Sequence, residues 1–207
     1  STAGSYTLDD VAAAGQVDAS VVVAWSGLAT ARELQRRCGV PYVVGRPWCV
    51  EDARVLAELV WKAASGEAQG NPLCLWNEER EATMDVGETA AGAAPSPILL
   101  LGEQAAMCSL RMHVRAALAQ AGFSAPVVVA TRFSADPTLA EPGDLSEIGE
   151  RELIAWAHKN PGFTWVGDPL FERIPAFVGR SAAMLPHEAT SSTLYADLTC
   201  RLAGDTA

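Results

Sequence analysis

An α/β fold of two Rossmann-like units, each a parallel sheet flanked by helices, is what the sequence predicts, and three observations predict it. Short runs of β-branched and aliphatic residues, Ser20 to Trp25 and Ile98 to Leu101, read as buried parallel strands. Each run is followed by a glycine-marked turn, a helix of 3.6-residue apolar period, a second glycine and another aliphatic strand. The two strand–helix–strand units begin at residues 20 and 98, which implies parallel sheets joined by crossover helices.

The elements follow in order. Leu8 to Ala14, with Gly15 behind it, reads as a short helix. After the Ser20–Trp25 strand, Ser26 and Gly27 break the run. A helix then carries Ala31, Leu34 and Cys38 inward and Arg32, Glu33, Arg36 and Arg37 outward. Gly39 is placed to end it in the left-handed conformation, and Val40 to Val44 is the next strand, with Pro41 at its entry. Glu51 to Ala64 is a helix with Val55, Leu56, Leu59, Val60 and Ala63 on one face. Leu73 to Trp76 can form a short strand, and Glu78 to Glu81 can begin a helix. The small-residue stretch Gly87 to Pro97 divides the chain. The expected organisation is a partial first unit over 1–86, a linker or mobile loop over 87–97, and a second unit over 98–207.

In the second unit, Met107, Leu110, Val114, Leu118 and Ala121 mark a long helix that Gly122 stops, followed by a strand over Pro126 to Ala130. Ser146 is expected to cap a helix running to His158. Phe163 to Val166 is a further strand. Asp168 as N-cap with Pro169 at the first helical position opens another helix. Ala176 to Val178 is expected as the last strand, and Thr190 to Leu202 as a terminal helix that can pack back on the first unit.

Composition excludes several functions. The chain has 207 residues, 49% hydrophobic and 19% charged, which fits a globular protein rather than a disordered one. Its net charge of −10 argues against a nucleic-acid binder. No apolar run approaches the roughly 18 residues of a membrane span. The start, Ser1-Thr2-Ala3-Gly4, has no signal-peptide pattern and no initiator Met, from which a natural protein extending upstream is expected. Five cysteines without a Cys-x-x-Cys or a Cys/His ligand run fit reduced cytoplasmic thiols, most of them in the core, and no metal ligand set is read from them.

No Gly-x-Gly-x-x-Gly, Walker loop or Gly-x-Ser-x-Gly elbow is present, so dinucleotide binding, P-loop hydrolysis and α/β-hydrolase chemistry are demoted. Ligands in open α/β sheets bind beyond the strand carboxyl ends. That rule points to Ser26-Gly27, which reads first as plain turn chemistry; Trp25 at the end of the same strand, Gly102 and Glu103 after the fourth, and Asp168 after Phe163–Val166 likewise stand at strand ends or helix entries. His113 reads as a surface or half-buried helix residue and His158 as a helix C-terminal cation. His187, in Leu185-Pro186-His187-Glu188 ahead of Thr190 to Thr193, could help hold an anionic ligand or a metal-bound cofactor, or it could simply hydrogen-bond backbone beside a Ser/Thr cap.

The segment Val21 to Tyr42, and above all Gly39-Val40-Pro41-Tyr42, resembles nitrogenase component 1-type oxidoreductases. Ile98 to Gly122 is similar to the family's next domain, Phe163 to Asp168 to its strand leading to a cofactor-side loop, and Pro186-His187 to a place where some members put a cofactor-ligating histidine. The resemblance implies the cofactor and substrate side of a reductive electron-transfer enzyme. Trp25, Ser26, Gly27, Gly102, Glu103, Asp168 and His187 would line it. An iron–sulfur cluster or a tetrapyrrole-type ligand would belong to the full protein. An ATP-dependent iron–sulfur reductase and a homologous second subunit would be its partners. The departures are specific: the family's N-terminal cluster cysteines have no counterpart here. Ala24-Trp25-Ser26 stands where a nitrogenase has its cofactor cysteine, so iron–molybdenum cofactor ligation is not expected. The segment by itself is not expected to catalyse multi-electron reduction. Two rival readings are a non-catalytic small-molecule module closing about the 87–97 connection, and a scaffold whose acidic surface docks another subunit.

Overall fold

The computed structural model describes residues 7–67, 73–77 and 96–185. Their helices are α1 (Leu8–Ala13), α2 (Leu28–Cys38), α3 (Val50–Ala64), α4 (Gln104–Gln120) and α5 (Glu150–Lys159). The strands are β1 (Ser20–Val22), β2 (Tyr42–Val44), β3 (Leu73–Cys74), β4 (Ile98–Leu101), β5 (Val127–Ala130), β6 (Thr164–Gly167) and β7 (Ala182–Met184). They form two sheets, β1-β2-β3 and β5-β4-β6-β7, parallel at every pairing. The protein is therefore α/β, with two parallel sheets flanked by helices, as the sequence predicts. No helix among the described residues is long and apolar enough to cross a membrane.

Local chemistry accounts for most element boundaries. Thr7 caps α1 in a reciprocal box with Asp10. Gly39 and Gly122 follow α2 and α4 with φ of 74° and 72°, a conformation that side-chain-bearing residues adopt at a cost. Glu103 caps α4, and Asp168 caps the 3₁₀ turn Pro169–Arg173.

Period-two alternation splits β4 between two cores. Ile98 and Leu100 face one cluster with Val127 and Val129 of β5, while Leu99 and Leu101 face the other with Trp165 of β6. The first cluster also holds Val43 and Val44 of β2, Leu56 and Leu59 of α3, and Ala105 to Cys108 of α4. The two sheets thus share one hydrophobic core through α4, whose first half is buried nearly all round. The second cluster, under α5, is built on Phe163, Trp165 and Phe177 in edge-to-face contact, with centroids 5.0 and 5.5 Å apart.

Four expectations are corrected. The first strand stops at Val22, Trp25–Gly27 is a 3₁₀ turn, and β1 is an edge strand with Val21 and Val23 half exposed rather than covered on both faces. Ser146 does not cap a helix, because residues 145–148 are drawn alongside β5: Leu145 N–H bonds Val129 O at 2.9 Å, and Ile148 N–H bonds Thr131 O at 3.1 Å. The helix starts only at Glu150, after an uncapped Gly149. Ala176–Val178 is not a strand. Phe177 enters the core from a turn, and Ala182–Met184 supplies the edge strand beside β6. Among the described cysteines, Cys74 and Cys108 are buried but Cys38 and Cys49 are exposed, so these two are not core thiols. The helix begun at Glu78, the Gly87–Pro97 stretch as far as residue 95, His187, the 190–202 helix and Cys200 lie outside the described residues.

Candidate functional site at the strand carboxyl ends

In the four-stranded sheet, β5 lies to one side of β4, and β6 and β7 lie to the other. The carboxyl ends of β4 and β6 therefore flank a topological switch point, the usual place for a ligand crevice. Leu101 pairs with Gly167, so Gly102-Glu103 and Asp168 leave the sheet side by side. These are three of the residues selected from the sequence.

The first unit reaches the same edge. The Trp25 amide donates to Glu103 Oε1 at 2.5 Å, joining the turn after β1 to the turn after β4. The expected residues Trp25, Ser26 and Gly27 are thereby brought beside Gly102 and Glu103. Trp25 is 37% exposed, and Ser26 next to it is exposed. Glu103 also accepts from the amides of Ala105 (3.1 Å) and Ala106 (2.9 Å) at the start of α4. Its carboxylate thus occupies the positive end of the helix, where a phosphate would otherwise sit. Asp168 likewise accepts from Leu170 N–H at 2.8 Å. Both acids serve as caps, and this edge presents an indole and a hydroxyl rather than a cradle for anions.

Further bonds fasten the two units. Arg46 N–H donates to Ser109 Oγ at 3.0 Å, and Trp48 Nε1–H donates to Ala106 O at 3.0 Å. The Arg46 guanidinium lies over the Trp48 ring, 5.1 Å from its centroid. Gly45 ahead of them admits no side chain, because a Cβ there would overlap Leu75 Cβ just after β3. Arg32 of α2 crosses to Asp136, in the loop after β5. Burial pushes the Asp136 carboxyl up, but hydrogen bonds from Arg32 and from Thr138 outweigh it and hold the group below the usual carboxylate range. The same bond to Asp136 raises Arg32 above its ordinary value. A closure of one unit on the other would have to break these contacts.

That loop has its own anchors. Gln104 binds the Asp136 backbone on both sides, Nε2–H to O at 2.9 Å and N–H to Oε1 at 2.7 Å. Arg111, 2% exposed, donates to both oxygens of Asp144 at 2.7 and 2.9 Å and lies 3.4 Å from Glu141. Burial pushes the neighbouring Cys108 thiol up to about 12, against the opposing pull of Arg111. Between the loop and the end of β5 lies a pocket of about 130 Å³, lined by Gln104, Thr131, Asp144 and Ser146 among others. It is smaller than the roughly 300 Å³ of an ordinary small-molecule site.

A third convergence was not read from the sequence. Asp52 of α3, buried, accepts from Trp48 N–H at 2.7 Å and sits 2.7 Å from His113 Nε2 on α4. With Cys49, these residues offer three ligand atoms within 4.8 Å of one another. The readable signal was Asp52 itself, a charged residue heading the apolar stripe of Leu56, Leu59 and Ala63. His113 lies 61 positions away, and only the fold brings it there.

Compared with known proteins, the chain matches no protein-family model and no curated protein sequence. The metal clusters of the family that the chain resembles find no ligand set among the described residues. Ala24-Trp25-Ser26 has no thiolate for an iron–molybdenum cofactor. An iron–sulfur cluster needs several converging cysteines, whereas the convergent group among the described residues holds one.

Proposed function

We propose that the chain is the substrate side of a nitrogenase component 1-like reductase, receiving a planar conjugated substrate of the tetrapyrrole kind at the shared strand edge. The observation that carries this reading is the bond from the Trp25 backbone amide to Glu103, which anchors a partly exposed tryptophan where the two units meet, beside the switch point. A flat aromatic face at that place suits a flat conjugated ligand. The capping roles of Glu103 and Asp168 speak against a phosphate-bearing one. In this reading electrons come from an ATP-dependent iron–sulfur reductase, through a cluster held by a homologous second subunit or by chain outside the described residues. The chain's own part is to bind and orient the substrate.

The test is titration with a water-soluble, metal-free porphyrin, followed by its absorbance. The expected result is saturable binding that Trp25→Ala weakens roughly 2- to 13-fold, the worth of about 0.5–1.5 kcal/mol for an aromatic contact. Absence of saturable binding, or equal affinity in the variant, overturns the reading. Binding without reduction when both the reductase partner and the cluster-bearing second subunit are supplied favours the non-catalytic module instead. The ties across the two units already remove support from the hinged form of that module.

A further inference from the structure

We propose that Cys49, Asp52 and His113 form a binding site for one borderline divalent transition-metal ion, zinc in the first instance, with a fourth position open to solvent. The donor set is a thiol sulfur, a carboxylate oxygen and a ring nitrogen, the mixture that such ions favour over calcium or magnesium. All three atoms lie within 4.8 Å of one another. Tetrahedral zinc at about 2.0 Å from N and O and 2.3 Å from S needs them roughly 3.5 Å apart. The required shifts are therefore on the order of 1 Å. They fall on Cys49, which is exposed, and on His113, which is 35% exposed, while Asp52 stays fixed by the Trp48 amide.

The surroundings supply the support a metal ligand needs. Trp48, which orients Asp52, is itself held by its indole bond to Ala106 O and by the Arg46 guanidinium over its ring. Cys49 occupies the N-cap of α3, where its sulfur accepts from Asp52 N–H at 3.5 Å. Sulfur is a weak acceptor, and Ser, Thr, Asp or Asn caps better, so capping alone does not account for a cysteine there. On binding, the thiol proton leaves to solvent, and the Asp52–His113 hydrogen bond is replaced by two bonds to the shared ion. The site stands independently of the reductase reading.

The test is titration of the 207-residue chain with Co²⁺, whose bond to a thiolate gives a charge-transfer band, followed by competition with Zn²⁺. One Co²⁺ per chain, a thiolate band and its bleaching by Zn²⁺ are expected. Cys49→Ser should abolish the band. His113→Gln should weaken binding by more than the roughly 10- to 100-fold that loss of a supporting partner costs. The double variant Cys38→Ser/Cys200→Ser should keep the band. Because Cys49 is exposed, its serine variant should fold, which circular dichroism checks. A band that survives Cys49→Ser, a band lost in the Cys38/Cys200 variant, unchanged affinity in His113→Gln, or substoichiometric binding overturns the site. Weak binding of many ions to the acidic surface gives no thiolate band and counts against it as well.

Discussion

Replacing Glu103 by alanine isolates what one carboxylate does at the junction of the two units. It accepts from two first-turn amides of α4 and from the Trp25 amide. Loss of an N-cap costs about 1 kcal/mol, and loss of a negative charge at a helix N-terminus adds about 0.3–1 kcal/mol. The Trp25 amide belongs to an exposed turn and recovers much of its bond from water. The expected loss is therefore about 1.5 kcal/mol. For a chain of this length that lowers Tm by roughly 3–6 °C. Glu103→Gln keeps an acceptor oxygen and should lose about half as much. Urea unfolding with an unchanged m value measures the difference. Hydrogen exchange should quicken at the amides of residues 25, 105 and 106 while the strands stay protected. If Glu103→Ala unfolds within about 0.3 kcal/mol of the parent, a value inside ordinary surface variation, the carboxylate is not the keystone of this edge.

Three further outcomes follow from the same structure. Arg111→Ala leaves the largely buried Asp144 carboxylate without its guanidinium, while Glu141 keeps that of Arg115, and should cost about 3–5 kcal/mol in urea unfolding; a loss below about 1 kcal/mol refutes the buried pairing. Asp136 is held below the usual carboxylate range when folded. Its contribution is present above the unfolded value and lost as pH falls through the folded one. Stability should therefore decline in acid below about pH 4, and Asp136→Asn should flatten that decline; parallel pH profiles for parent and variant would contradict it. The Cys108 thiol runs the other way, its folded value raised to about 12. Its contribution is complete below the unfolded value and should fade between about pH 9 and 12, at up to about 1.4 kcal/mol per pH unit. At neutral pH a thiol reagent should modify Cys38 and Cys49 quickly and Cys108 only on unfolding. Fast labelling of Cys108 in the native chain would refute its burial.

Legibility differed from element to element for physical reasons. The α2 and α4 helices and the strands β2, β4 and β5 were readable because apolar period and glycine stops act within a few residues. The edge strand Ala182–Met184 was not, because its three exposed residues carry no hydrophobic pattern and it exists only through pairing with β6. Ala176-Phe177-Val178 misled for the opposite reason: Phe177 is apolar because it fills an aromatic core from a turn. Ser146 had the composition of a cap, but pairing with β5 took its backbone first. The strand-end rule found Trp25, Gly102, Glu103 and Asp168 in place at the sheet edge. It could not say that both acids would be consumed as caps, since a capping acid and a ligand-binding acid look alike in sequence.

By itself, the sequence determined the α/β class, the parallel sheets and the loops that reach the strand carboxyl ends, because these rest on local period, β-branching and glycine. Tertiary structure alone decided that α4 serves both sheets, that Trp25 and Glu103 meet across 78 residues, and that Cys49, Asp52 and His113 converge. Those contacts depend on how two buried faces of one helix are shared. Backbone chemistry near each residue carries no record of a partner so far along the chain.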